Sequence, residues 1–98
     1  MSRLLMSSRF VTYMKQAKEY ENRGRKCVEQ KRYKEASRMF LYASNRYYHA
    51  YNYVCEVAES CDDIVRGQEV YEKYKSCNAK MREAFNKSNS KSCGIMTD

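Results

Sequence analysis

The chain contains no proline and no tryptophan, and only three glycines, Gly24, Gly67 and Gly94. β-Branched residues are also sparse. A sequence with so few chain breakers and so few strand formers excludes a turn-rich sheet and predicts an all-helical domain. The five cysteines, Cys27, Cys55, Cys61, Cys77 and Cys93, form no CxxC pair, and the one histidine, His49, has no cysteine at zinc-ligand spacing. No metal site or cofactor is therefore expected, and the thiols read as reduced, small core hydrophobes of a cytoplasmic protein. No run approaches the roughly 18 apolar residues of a membrane span. The opening Met1-Ser2-Arg3-Leu4-Leu5-Met6 turns polar too soon for a signal peptide. Ser2 excludes myristoylation, and Cys93 is misplaced for prenylation. Asn86-Lys87-Ser88 has the form of a glycosylation sequon but carries no meaning without a secretory route.

What is present is aromatic. Ten tyrosines and three phenylalanines occur in 98 residues, and hydrophobic residues make up 43%. That length allows one small domain. From Tyr33 the sequence reads Tyr33-x-x-Ala36, Phe40-x-x-Ala43, Tyr47-x-x-Ala50, then Val54 and Val57. Steps of three and four place these residues on one stripe of a helix. Each ring followed one turn later by a methyl group lets a second helix approach closely. Tyr33, Ala36, Phe40, Ala43, Tyr47 and Ala50 are expected to be buried.

Two flanking helices follow from the same reading. Ser7 or Ser8 caps a first helix ending near Glu29 or Gln30, with the stripe Phe10, Tyr13, Ala17, Tyr20, Gly24 and Cys27. Gly24 on this stripe implies a close backbone approach. Gln30-Lys31-Arg32 is the only break before the second helix, about residues 32–58, so the two lie antiparallel. Asp62 and Asp63 favour a third helix start. That helix is expected to run to about Asn86, with Ile64, Gly67, Val70, Tyr74, Cys77, Met81 and Ala84 inward and Tyr71 and Phe85 beside them. The expected organisation is a flexible lead-in over 1–7, an antiparallel three-helix bundle over 8–86, and a disordered polar tail or linker over 87–98.

The net charge is +7. Most of the excess lies in residues 1–32, which hold nine Lys or Arg against three Glu. Arg23, Arg25, Lys26, Lys31 and Arg32 cluster at the end of the first helix, with Tyr20 and Tyr33 interleaved. Such a patch is either a solvated face or an attraction for an acidic peptide, tubulin tails, anionic lipid or nucleic acid. No catalytic constellation is visible. His49 has no carboxylate or serine at useful spacing, and adjacent Asp62 and Asp63 point to different helix faces. A non-enzymatic chain is expected, or the targeting part of a larger ATPase, kinase or protease.

The stretch Gly24–Tyr53 resembles the MIT domain, the microtubule-interacting and trafficking module of proteins that act with the ESCRT machinery. Lys31-Arg32-Tyr33-Lys34-Glu35-Ala36 is similar to that family's turn and second-helix entry. Tyr48-His49-Ala50-Tyr51-Asn52-Tyr53 is similar to the later part of its second helix. The third helix matches only in amphipathic character. Tyr-x-x-Ala also opens the second helix of a tetratricopeptide repeat. Such a helix stops after about 15 residues, and the unit recurs about every 34; here the stripe runs on to Val57 and no second copy exists.

The resemblance implies a protein-binding module for the C-terminal tails of ESCRT-III-like proteins, cytoplasmic or endosome-associated, able to sit peripherally at a membrane. Met39, Tyr42, Arg46 and Tyr53 share a second face of the middle helix and are of types enriched in interfaces. With Tyr71, Lys73 and Tyr74 of the third helix they are expected to line a groove for a helical or extended tail. Leu41, Tyr48 and Tyr51 are expected to pack against the third helix. The competing readings are a basic helical domain for RNA or microtubules and a tetratricopeptide-like capping fragment.

Overall fold

The heptad stripe folds as one uninterrupted helix, and everything else is arranged around it. The computed structural model describes residues 7–96, with side chains described through Asn89. Helix α1 spans Ser8–Glu29, α2 Tyr33–Val57 and α3 Cys61–Met96, and no strand forms among the described residues. The protein is an all-α, three-helix bundle.

Each boundary has a local cause. Ser7 Oγ accepts a hydrogen bond from the Phe10 amide at 3.3 Å, which satisfies one orphan donor of α1. At the other end, the amides of Lys31 and Arg32 donate to the carbonyls of Val28 (2.9 Å) and Cys27 (2.8 Å). These two bonds make a Schellman turn, whose next residue must be left-handed. Here that residue is Lys31, at φ 60°. A lysine bears a Cβ penalty there that glycine does not. Lys31→Gly should therefore raise stability by about 0.5–1 kcal/mol, the relieved strain exceeding the added unfolded-state entropy. Denaturant unfolding measures this, and a less stable variant would show that the turn tolerates lysine without strain.

Helix α3 starts with a box of reciprocal bonds. The Asp63 amide donates to Ser60 Oγ at 3.2 Å, and Asp63 Oδ2 accepts from the Glu59 amide at 3.0 Å. The cap draws Asp63 inward to 4% exposure and turns Ile64 outward to 55%. Ile64 is thus not a core residue. The inward series is Asp63, Gly67, Val70, Tyr74, Cys77, Met81 and Ala84, which keeps the four-three alternation that starting from Ile64 breaks. The third helix also does not end at Asn86 but continues to Met96. Serine, asparagine and lysine are only mildly unfavourable in a helix, and elongating an established helix needs no new nucleus. The expected lead-in falls, apart from Ser7, outside the described residues, as do Thr97 and Asp98.

Packing centres on α2. Ala36, Phe40, Ala43, Tyr47, Ala50 and Val54 are buried, with Phe10 and Ala17 from α1 and Val70, Cys77 and Ala84 from α3. Tyr33, expected in the core, is only half-buried. It opens the helix at the bundle's edge, where Lys87 Nζ covers its ring at 5.4 Å. Gly24 and Gly67 sit where flanking helices meet α2. A methyl at Gly24 would lie 2.8 Å from Phe40 Cε1, and one at Gly67 would lie 2.9 Å from Val54 Cγ1. Glycine at these positions lets α1 and α3 close on the rings and branched side chains of α2.

One polar cluster joins all three helices. Tyr47 donates its hydroxyl to Glu21 Oε1 at 2.9 Å, while Lys80 and Arg25 donate to Glu21 Oε2 at 3.1 and 3.2 Å. Burial pushes the Glu21 carboxyl up, but the bonds from Lys80 and Tyr47 and the charges of Lys80 and Arg25 outweigh it. The carboxyl therefore titrates below its ordinary value. Burial, with the Glu21 bond second, raises the Tyr47 hydroxyl. Burial and the charge of Glu21 push the neighbouring Cys77 thiol up to about 11. Cys27, Cys55, Cys61 and Cys77 are free thiols.

The antiparallel chain path sorts charge along the rod, whose extents are 59 × 20 × 15 Å. Residues 23–38, around the α1–α2 turn, carry seven Lys or Arg against two Glu. Residues 56–72, around the α2–α3 turn at the far end, carry six acidic side chains against Arg66.

Candidate functional site

A central helix with a partner on each side leaves two outer seams, and the tyrosines outside the core are divided between them. On the α1 side, Tyr42 packs on Tyr20 with ring centroids 5.4 Å apart, His49 stacks on Tyr13 at 5.5 Å, and Arg9 lies over Tyr53 at 5.8 Å. Met39 and Arg46 fall on this same stripe by helical spacing. On the α3 side, Tyr48 meets Tyr74 at 5.1 Å, Tyr51 meets Tyr71 at 4.9 Å, and Tyr71 meets Tyr74 at 5.7 Å.

The structure thus separates the residues that the sequence reading joined in one groove. Met39, Tyr42, Arg46 and Tyr53 belong to the α1–α2 seam. Tyr71 and Tyr74 belong to the α2–α3 seam, where their partners from α2 are Tyr48 and Tyr51. Lys73 belongs to neither: its Nζ lies 6.0 Å from the Tyr47 ring, on the side where Lys80 reaches Glu21. The reason is handedness. A three-helix bundle can bury the same central stripe with its outer helices exchanged, so the stripe does not say which flank of α2 receives α1. Tyr48 and Tyr51 pack against the third helix as expected, whereas Leu41, expected with them, is exposed.

The α2–α3 seam is packed yet open. Tyr48 remains 43% exposed and Tyr71 37%, and Leu41, two turns before Tyr48 on the same flank, is 47% exposed. Exposed, contiguous aromatic surface of this kind marks contact sites on small proteins. The four rings hold one another in place at edge-tilted angles of 39–44°. They therefore present a preformed ridge that loses little entropy on contact. The charged neighbours are mixed: Glu69 and Glu72 stand beside Tyr51 and Tyr71, Glu69 paired with Arg66 at 3.4 Å and Glu72 with Lys75 at 3.1 Å, and Lys75 lies over the Tyr71 ring at 5.2 Å.

A smaller cleft of about 220 Å³ opens between α1 and α3. Val28, Tyr33, Phe40 and Ala84 form its apolar floor, and Arg25, Lys80 and Lys87 its basic rim.

The expected basic patch is present but unevenly available. Arg25 pairs with Glu21 at 3.2 Å, Arg32 pairs with Glu35, and Arg23 covers the Tyr20 ring at 5.8 Å. Lys26 and Lys31 have no ion-pair partner among the described residues. Sequence reading missed Lys34 and Arg38, which extend the patch into α2 and lie one helical turn apart. Their spacing was the available signal.

Among the described residues no group of three or more His, Cys, Asp or Glu is arranged to hold a metal ion. No described helix is long and apolar enough to cross a membrane. The chain matches no family model, no curated protein and no solved structure.

Proposed function

We propose that this chain is a non-enzymatic interaction module of the MIT kind, and that its α2–α3 seam binds the acidic, leucine-rich C-terminal tails of ESCRT-III-like proteins. In this role it recruits an attached or associated activity to endosomal membrane-remodelling sites. The observation that carries the reading is the open tyrosine ridge of Tyr48, Tyr51, Tyr71 and Tyr74 with Leu41 at its end. An amphipathic helix laid along the ridge places its aliphatic side chains between the rings, with successive anchors three and four residues apart. The partner class comes from the sequence resemblance over Gly24–Tyr53; the surface comes from the geometry. One helix on a shallow seam buries little area beyond its ordering cost, so affinity is expected around micromolar.

The test is a titration of acidic, leucine-rich tail peptides against the wild type, Tyr48→Asp and Tyr42→Asp. Tyr48→Asp should weaken binding about thirtyfold, as loss of a central aromatic anchor does. Tyr42→Asp, on the α1 side, should bind as the wild type does. A folded Tyr48→Asp variant with unchanged affinity would remove this seam from consideration, and a loss confined to Tyr42→Asp would move the site to the α1–α2 side.

A further inference from the structure

The basic end of the rod contains a second feature, independent of the tyrosine seam. A cleft of about 460 Å³ lies where the α1–α2 turn and the first turns of α2 meet α3, and four of its lining residues, Lys31, Arg32, Lys34 and Arg38, are cationic. Its one carboxylate, Glu35, is engaged by Arg32. Lys31, Lys34 and Arg38 have no ion-pair partner among the described residues. The Ser88 side chain of α3 adds a hydroxyl to the lining. A ligand of opposite charge would relieve the mutual repulsion among these cations.

A second observation concerns Lys31. The Schellman turn places a left-handed residue at the cleft's rim, and the chain puts a lysine there instead of glycine. The turn therefore holds a cation at the cleft's rim in a conformation that glycine would adopt with less strain.

The ligand chemistry follows from number and placement. One phosphate occupies one or two basic groups, whereas the three unpaired cations around one cleft, with Arg32 beside them, match more than one phosphate held on a small scaffold. A single strand held by base stacking would also need rings free to take the bases. The aromatic groups of this end do not offer them: Tyr20 is covered by Arg23 and Tyr42, and Tyr33 by Lys87. The turn at the other end, residues 56–72, carries six acidic side chains against Arg66, so the basic end is the better match to an anionic surface. We propose that this cleft binds a multiply phosphorylated headgroup, the chemistry of a phosphoinositide lipid or of a free inositol polyphosphate.

The experiment uses the full chain with three probes: soluble inositol hexakisphosphate by calorimetry, vesicles containing phosphatidylinositol bisphosphate, and phosphatidylserine vesicles matched in surface charge. Saturable binding to the soluble compound is expected. Preference for the phosphoinositide vesicles over the matched ones would assign the lipid source; binding to the soluble compound with no vesicle preference would assign the free one. The double variant Lys34→Glu, Arg38→Glu should lose about tenfold or more in affinity, since each basic group near such a surface contributes on the order of a few-fold. Lys31→Gly should weaken binding several-fold while its thermal unfolding is no lower than wild type, a combination that a purely structural lysine would not give. The proposal is overturned if the soluble compound does not saturate, if poly-uridine competes as well per phosphate, or if all the cleft variants bind as wild type. The tail-peptide titration reads different residues, so either result stands without the other.

Discussion

Tyr47→Ala should lower the free energy of unfolding by about 3–5 kcal/mol, the usual loss for a fully buried ring cut back to a methyl. Tyr47 is 1% exposed and lies within the main apolar cluster of the bundle. Against the ~5–15 kcal/mol available to a small domain, that loss removes a large share of the stability. The denaturant midpoint is the measurement. Tyr47→Phe separates ring from hydroxyl: it keeps the packing and removes only the bond to Glu21, costing about 1 kcal/mol. Equal losses for the two variants would show that the polar cluster, not the ring, holds the helices together. The cluster also sets an acid limit. Because the folded state lowers the Glu21 pKa, its contribution is complete above the ordinary carboxylate range and is lost as pH falls through the lowered value. Wild-type stability should therefore drop below about pH 5 more steeply than that of Glu21→Gln, which has no proton to take up there. Parallel pH profiles would contradict the assignment.

Ala43→Leu should cost about 1–3 kcal/mol by overpacking. Ala43 is 0% exposed, between Phe40 and Tyr47 on the buried stripe. The added carbons have no void to enter, so the helices must part or a neighbouring ring must leave its rotamer. An unchanged thermal midpoint would mean that the stripe is looser than the glycine contacts at Gly24 and Gly67 imply.

The stripe positions show what the chain made legible in advance. Ala36, Phe40, Ala43, Tyr47 and Ala50 announce burial because a period of three and four has only one solution on a helix. Gly24 announces close approach because its helix cost needs a compensation. The inward turn of Asp63 was legible as well, in the Ser60-x-x-Asp63 box, but a nearby isoleucine draws attention as the better core residue. The extent of α3 was not legible, because Asn-Lys-Ser sequences lie near the balance point between helix and coil. Nor was the assignment of seams. Tyr42 and Tyr53 are the same residue type as Tyr48 and Tyr51 and flank the same buried stripe, and only the hand of the bundle decides which pair meets α1.

The separation of acidic and basic residues to opposite turns gives the rod a property unlike that of either end alone. At ordinary ionic strength the screening length is about 8–10 Å, far shorter than the 59 Å long axis, and each pole acts by itself. Near 0.01 M salt that length grows to about 30 Å. Each rod also carries a net charge of +7, so at that range whole molecules repel one another and the approach of unlike poles is opposed. Scattering from dilute buffer should therefore report single, mutually repelling rods whose repulsion fades on adding salt.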